Sequence, residues 1–202
     1  MSKYKVAITG GIGSGKSTVC QYLKETGVPV FSCDEISKQL FEEPKYQKEL
    51  LQLFPASETN GMVDRKKLAT IVFSNSEQLK RLNAFSHEKI MEKLFCEMDA
   101  TKASVSFAEV PLLFEGGYEI QFDCIIVVER SLEARIAAVC LRDGIEKDDV
   151  LKRIDSQWDY DSVAHQKIMQ RKNYFSIQNT GDENQLKISL KAVLRDIEKL
   201  LS

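Results

Sequence analysis

The chain has 202 residues, of which 43% are hydrophobic and 29% charged, and its formal net charge is -2. That balance suits one globular domain with a core of useful size, and it gives no bulk electrostatic reason to bind nucleic acid or a membrane surface. Five scattered cysteines without Cys-x-x-Cys spacing argue against a disulfide framework or a zinc site, and no apolar run is long enough to span a bilayer.

Residues 5–9, Lys-Val-Ala-Ile-Thr, are followed directly by glycines and predict a short buried strand. With strand and glycine loop beginning at once, no signal peptide is expected, and the expected location is a reducing cytoplasm. The next segment is Gly10-Gly11-Ile12-Gly13-Ser14-Gly15-Lys16-Ser17-Thr18. It contains Gly-x-x-x-x-Gly-Lys-Ser, read from Gly10 to Ser17, between that strand and a helical pattern. Glycines let the backbone bend so that successive N–H groups point inward, and the helix that follows adds partial positive charge at its N-terminus. In such a cradle Lys16 reaches the β- and γ-phosphates of a nucleotide, and the Ser17 hydroxyl ligates Mg²⁺.

A helix is predicted over 17–25, stopped by Gly27, and a second strand over 28–31 with Pro29 near its start. The strand–helix–strand unit implies a parallel sheet with a right-handed crossover, and it places the second strand beside the first. Asp34 then falls at the sheet edge where ligands bind in open parallel sheets. A carboxylate there can accept the proton of an attacking hydroxyl, or serve as a plain helix N-cap. Helices are predicted over 34–41 and 46–54, a turn at Asn60-Gly61, a helix capped by Asp64, and a further helix over 77–98 broken near Ser86.

Residues 105–110 read as a third strand ending at Pro111, with Glu109 at its end as a candidate metal-side acid. Residues 123–128 read as a fourth, β-branched and central strand. Ser131 caps a helix that ends at Asp143-Gly144, and another helical piece spans 148–157. The last strand is predicted at 174–178, before the turn Asn179-Thr180-Gly181. A C-terminal helix follows with the stripe Leu186, Leu190, Val193, Leu194, Ile197 and Leu201. Trp158, Tyr160 and Tyr174 read as packing or lid residues rather than stacking platforms. The fold class is α/β.

Taken together, these motifs resemble the dephospho-coenzyme A kinase family. The glycine loop from Thr9 to Thr18 resembles that family's phosphate loop, and Asp34 matches its acidic residue after the second strand. Asn60 to Leu68 resembles its Gly-x-x-x-Arg-x-x-Leu segment, with Arg65 as the arginine, and Asn83 to His87 resembles its helix with a histidine. Pro111-Leu112-Leu113-Phe114-Glu115 is similar to its Pro-Leu-Leu-Phe-Glu signature. Arg142-Asp143-Gly144, the stretch from Arg153 to Gln157, and Asn179-Thr180-Gly181 fall where its lid arginine, its Arg…Gln pair and its adenine-side turn fall. Departures exist: Ser32-Cys33-Asp34 keeps only the second acid of Asp-x-Asp, Glu88 stands where a proline often follows the histidine, and Asn173-Tyr174-Phe175 replaces an Ala-Asp pair.

The resemblance implies a P-loop fold of nucleoside-monophosphate-kinase type, with a five-stranded parallel sheet, a helical acceptor insertion over about 34–100 and a lid over about 138–171. The core would comprise 1–33, 101–137 and 172–202. It implies ATP-dependent phosphorylation of the ribose 3′-hydroxyl of dephospho-coenzyme A, with Mg²⁺ as cofactor, by a monomer with no nucleic-acid or membrane partner. Asp34, Lys16 and Arg142 are then the candidate catalytic residues. Gly11, Ile12, Gly13, Ser14, Gly15, Lys16, Ser17, Thr18 and Asn179 would bind ATP, and Asp34, Arg65 and His87 the acceptor. Ser17 would hold the metal, with Glu109 or Glu115 reaching it through water. Two rivals are another small-molecule kinase and a nucleotide-driven switch; the chain has no recognisable Asp-x-x-Gly switch segment and no Asn-Lys-x-Asp.

Overall fold

A computed structural model describes residues 3–201, and its sheet is built around the N-terminal apolar run. Strand β1 (Tyr4–Thr9) pairs in parallel with β5 (Val105–Glu109) and β6 (Cys124–Glu129), and β6 pairs in parallel with β7 (Tyr174–Gln178). With β2 (Val30–Ser32) the strand order is β2-β5-β1-β6-β7. In register, Val6 faces Phe107 on one side and Cys124 on the other. Val6, Ala7 and Ile8 have no exposed surface, as expected for a parallel strand covered on both faces.

This order corrects two expectations. The second strand is not the neighbour of the first, because β5 lies between them. Only three residues long and half-buried, β2 suits a sheet edge, and the long connection that follows it lets β5 return beside β1. The middle place belongs to β1, with β6 beside it.

Helix α1 (Lys16–Glu25) and the last helix, α9 (Glu183–Leu201), pack together over the sheet. Val19 and Leu23 of α1 join Leu186, Leu190 and Ile197 of α9 and the sheet residues Val6, Ile8, Ile126 and Ile177 in one buried cluster. Burying such side chains contributes about 1.5–3 kcal/mol each, the main drive for this layer. Between β6 and β7 run α6 (Leu132–Asp143), α7 (Lys147–Asp155) and the short α8 (Val163–Ile168). The last is absent from the sequence reading; its six residues are too few to show a helical period.

By backbone contacts the chain separates into two compact units, one running to Phe31 and resuming at Met98, the other Ser32–Glu97. The second unit holds α2 (Cys33–Glu42), α3 (Pro44–Leu53), strands β3 (Glu58–Thr59) and β4 (Met62–Val63), α4 (Arg65–Phe73) and most of α5 (Ser76–Ala100). Asn60 and Gly61, at φ 53° and 80°, form the two-residue turn of a hairpin, where the sequence suggested a turn alone. The expected break near Ser86 is missing: α5 is continuous, and the Ser86 hydroxyl instead meets the Tyr46 hydroxyl at 3.0 Å. Of the cysteines, Cys20, Cys33 and Cys124 are buried, whereas Cys96 is exposed.

Candidate active site

The glycine loop joins buried Thr9, at the end of β1, to the first turn of α1. Gly13 has φ +78°, and a Cβ added there would lie 2.6 Å from the backbone oxygen of Arg135. Gly15, at φ +99°, is the helix N-cap, and no side chain caps α1. No side chain competes for the first helical N–H groups at the loop mouth, though the Thr18 N–H already donates to Gly15 O at 3.1 Å.

What aims those donors inward is the fate of the carbonyls. Lys16 Nζ donates to the oxygens of Gly10 at 2.7 Å and Gly11 at 3.2 Å. Arg135 Nε donates to Ile12 O at 3.0 Å, Arg130 Nη1 to Gly13 O at 3.3 Å, and Asn179 Nδ2 to Ser14 O at 2.8 Å. Every carbonyl from Gly10 to Ser14 is thus held by a side-chain donor, the last three by residues from outside the loop. Arg135 is only 8% exposed, so its charge lies in a poorly solvated place, and burial lowers its pKa. Three of the carbonyls' partners are cationic, which makes this a strongly electropositive loop.

On the metal side, Ser17 Oγ donates to Glu109 Oε1 at 3.0 Å. Glu115 is engaged elsewhere, accepting from the Trp158 backbone N–H at 2.7 Å. A cavity of about 360 Å³ opens beside the loop, lined by Gly11, Ser14, Arg130, Arg135, Tyr160 and Gln178. The Tyr160 hydroxyl lies 3.3 Å from Thr9 Oγ1, and burial is the main cause that pushes its pKa up to about 12. It is a neutral hydrogen-bonding group at any physiological pH.

The structure thus brings Lys16, Ser17, Glu109, Asn179 and the loop into one cluster. Arg142 is exposed, and its guanidinium forks onto Asp143, with Nε–Oδ1 2.7 Å and Nη2–Oδ2 3.0 Å, while Arg153 reaches the same carboxylate at 3.0 Å. Asp34, Arg65 and His87 belong to the second unit. Asp34 is not the N-cap of α2, because Ser32 accepts the Glu35 N–H; Asp34 lies exposed in the first turn. Arg65 stacks 4.0 Å over the Phe41 ring and pairs with Glu42 at 3.3 Å. His87 is half-buried on α5. Arg130 and Arg135 escaped the sequence reading, since an arginine in or before an amphipathic helix carries no mark of the carbonyl it will meet more than a hundred residues away.

Comparison with known proteins bears on the whole chain. The dephospho-CoA kinase family profile matches residues 4–180. A dephospho-CoA kinase of Thermus thermophilus is 35% identical over 192 residues, covering 95% of this chain and 91% of that protein. The crystal structure of TT1252 from Thermus thermophilus superposes with a TM-score of 0.80 at 35% identity, covering 97% of this chain and 98% of that one. A shikimate kinase from Bacteroides thetaiotaomicron shares the fold at a TM-score of 0.50 and 10% identity, covering 96% and 98%.

Proposed function

The chain belongs to the dephospho-CoA kinase family, and from that premise we propose how its residues divide the work of moving a phosphoryl group from ATP to dephospho-coenzyme A. The enzyme phosphorylates dephospho-coenzyme A at the expense of ATP, the final step of coenzyme A formation. Phosphoryl transfer asks little covalent help of a protein; it asks for in-line placement and neutralised charge. The observation that carries the reading is the loop whose five carbonyls are all tied back by side chains, three of them cationic, so that its backbone presents N–H groups and positive charge to a triphosphate.

The backbone from Gly11 to Thr18 receives the ATP phosphates, and Asn179 supports them by holding Ser14. Lys16 moves from loop carbonyls toward phosphate oxygens as those arrive. Among the described residues no group of three or more His, Cys, Asp or Glu could cage a metal. The donor set fits Mg²⁺ all the same, for the Ser17 hydroxyl and the Glu109 carboxylate are hard oxygens placed together, and Mg²⁺ typically takes its remaining ligands from phosphate and water. When bound, Mg²⁺ neutralises charge on the phosphates. Glu115, with its carboxylate on Trp158, takes the lesser part in that arrangement.

Asp34 accepts the proton of the ribose 3′-hydroxyl. Ser32 relieves it of capping duty, which leaves its carboxylate exposed in the first turn of α2. Arg65 and His87 hold the acceptor. Arg142 joins the reaction by exchanging Asp143 for phosphate oxygens, a swap its planar fork suits. Buried free thiols at Cys20 and Cys124 suit a reducing cytoplasm. The test is an acceptor panel, with ADP release measured using dephospho-coenzyme A, nucleosides, nucleoside monophosphates or no acceptor. Release should depend on dephospho-coenzyme A; release that ignores the acceptor, or that answers to nucleosides alone, overturns the reading.

A further inference from the structure

One short segment grips the donor site in three places. After α7, Gln157 Oε1 accepts the Ile12 backbone N–H at 2.8 Å, the Trp158 N–H donates to Glu115, and the Tyr160 hydroxyl meets Thr9. Ile12 is held on its other side as well, because its carbonyl accepts from Arg135 Nε at 3.0 Å. The two peptide groups flanking Ile12 are therefore both fixed, one by the segment after α7 and one by α6. Nothing in the phosphate-cradle motif itself demands this. The loop's glycines leave the apex free to turn, and a peptide at that apex rotated outward would carry its neighbours' amides away from the phosphates.

We propose that Gln157 is a positioning residue for the donor site, its side-chain carbonyl holding the Ile12 amide so that the loop presents its remaining N–H groups to the triphosphate. The inference rests on the donor-site reading above. Gln157 touches no reacting atom; it acts through the loop, and its loss weakens the hold on ATP while leaving the acceptor untouched. An amide that loses its one strong acceptor in a half-buried place pays a desolvation penalty equivalent to roughly a five- to thirtyfold change in an equilibrium constant.

The experiment uses the full chain, with Gln157→Met to keep the side-chain length but remove the acceptor, and Gln157→Glu to keep an acceptor oxygen. Ile12 amide exchange is read by NMR without nucleotide, so that the added charge of the Glu variant does not enter. In the wild type and in Gln157→Glu that amide should exchange slowly, and in Gln157→Met quickly. KM for ATP and Kd for ADP should rise by about five- to thirtyfold in Gln157→Met, with KM for dephospho-coenzyme A within about twofold and Tm close to the wild type. Fast Ile12 exchange in the wild type, or a Gln157→Met variant with unchanged exchange and unchanged ADP affinity, overturns the proposal even if the variants fold poorly. A wild type that binds ADP and protects Ile12, yet ignores dephospho-coenzyme A, sinks the functional reading instead and leaves Gln157 standing.

Discussion

The donor cluster and the helical second unit hold their candidate residues in opposite ways. Around the phosphate loop, polar atoms are spent on one another: Lys16 and Arg135 are nearly buried, and five consecutive carbonyls are occupied. In the second unit the candidates are lightly held. Asp34 is exposed, and Arg65 pairs with Glu42 through side chains that are 62% and 76% exposed, a contact of little energetic weight. A site for triphosphate must be organised before the ligand arrives, since amides that have to reorient give back the electrostatic gain. A site for a flexible thiol-bearing acceptor can form around it. The contrast implies that damage to the first region is read in ATP, and damage to the second in the acceptor or in turnover alone.

The largest expected effect separates the two at once. Asp34→Asn should lower kcat by about two to four orders of magnitude, the range for a lost general base, and leave KM for ATP unchanged. Ser32→Ala is its control: it removes the cap of α2, costing about 0.5–2 kcal/mol of helix stability, but spares the carboxylate and so should spare most of kcat. An Asp34→Asn enzyme with full turnover removes Asp34 from the mechanism, and one with a raised KM for ATP breaks the comparison.

Next in size is Gly13→Ala. The new methyl would meet the Arg135 carbonyl at 2.6 Å and Val139 Cγ2 at 3.0 Å, on a backbone at φ +78°. The loop must shift, and a displacement near 1 Å at a phosphate site costs on the order of 100-fold in kcat/KM. Steady-state kinetics should assign that loss to ATP, with KM for dephospho-coenzyme A unmoved. An equal loss in both substrates would mean that the donor cluster is less self-contained than its hydrogen bonds suggest.

The same contrast governs what could be read from the residues. The phosphate loop is contiguous, so its chemistry is written in adjacent letters, and 174–178 is the strand that the apolar pattern predicted. The bonds that stiffen the loop were not legible: Ile12 and Gln157 are 145 positions apart, and Ile12 and Arg135 are 123. Sheet order failed for a related reason. A strand's length and polarity hint at an edge, but nothing local says that β5 will insert between β1 and β2. In the second unit, Asp64 was legible as a cap because capping is local, and it does accept the N–H groups of Lys66 and Lys67. Asp34 was singled out by its place after the second strand, though on an expected adjacency to β1 that the strand order corrects, whereas Arg65 and His87 acquired their proposed roles from family resemblance, for an exposed arginine and a lone histidine have no local chemistry that singles them out.

The smallest effect concerns stability and sharpens the contrast from the donor side. His165 is 2% exposed and packs edge-on to Phe114 and Tyr160, with ring centroids 5.7 and 5.2 Å away. Its Nδ1 accepts from Trp158 Nε1 at 3.4 Å, and its buried Nε2 has no hydrogen-bond partner among the described residues. Burial lowers its pKa, against the opposing pull of Asp161 and Asp159. The folded value therefore lies below the unfolded one, so above about pH 6.5 the group is neutral in both states and contributes nothing to pH dependence. As pH falls through that value the unfolded chain takes up the proton more readily than the folded one, and stability is lost. Trp158 is the only tryptophan and sits in this cluster, so its fluorescence reports the melt locally. Between pH 7 and 5 the wild-type Tm should fall, and His165→Gln should recover about 1–3 °C of that fall. A slope identical in the two proteins would remove His165 as the cause, because carboxylates such as Asp64 and Asp143, held low by the Lys67 and Lys66 N–H groups and by Arg142 respectively, lose their contribution only below about pH 5. The aromatic packing beneath the Gln157–Tyr160 segment would then be indifferent to protonation.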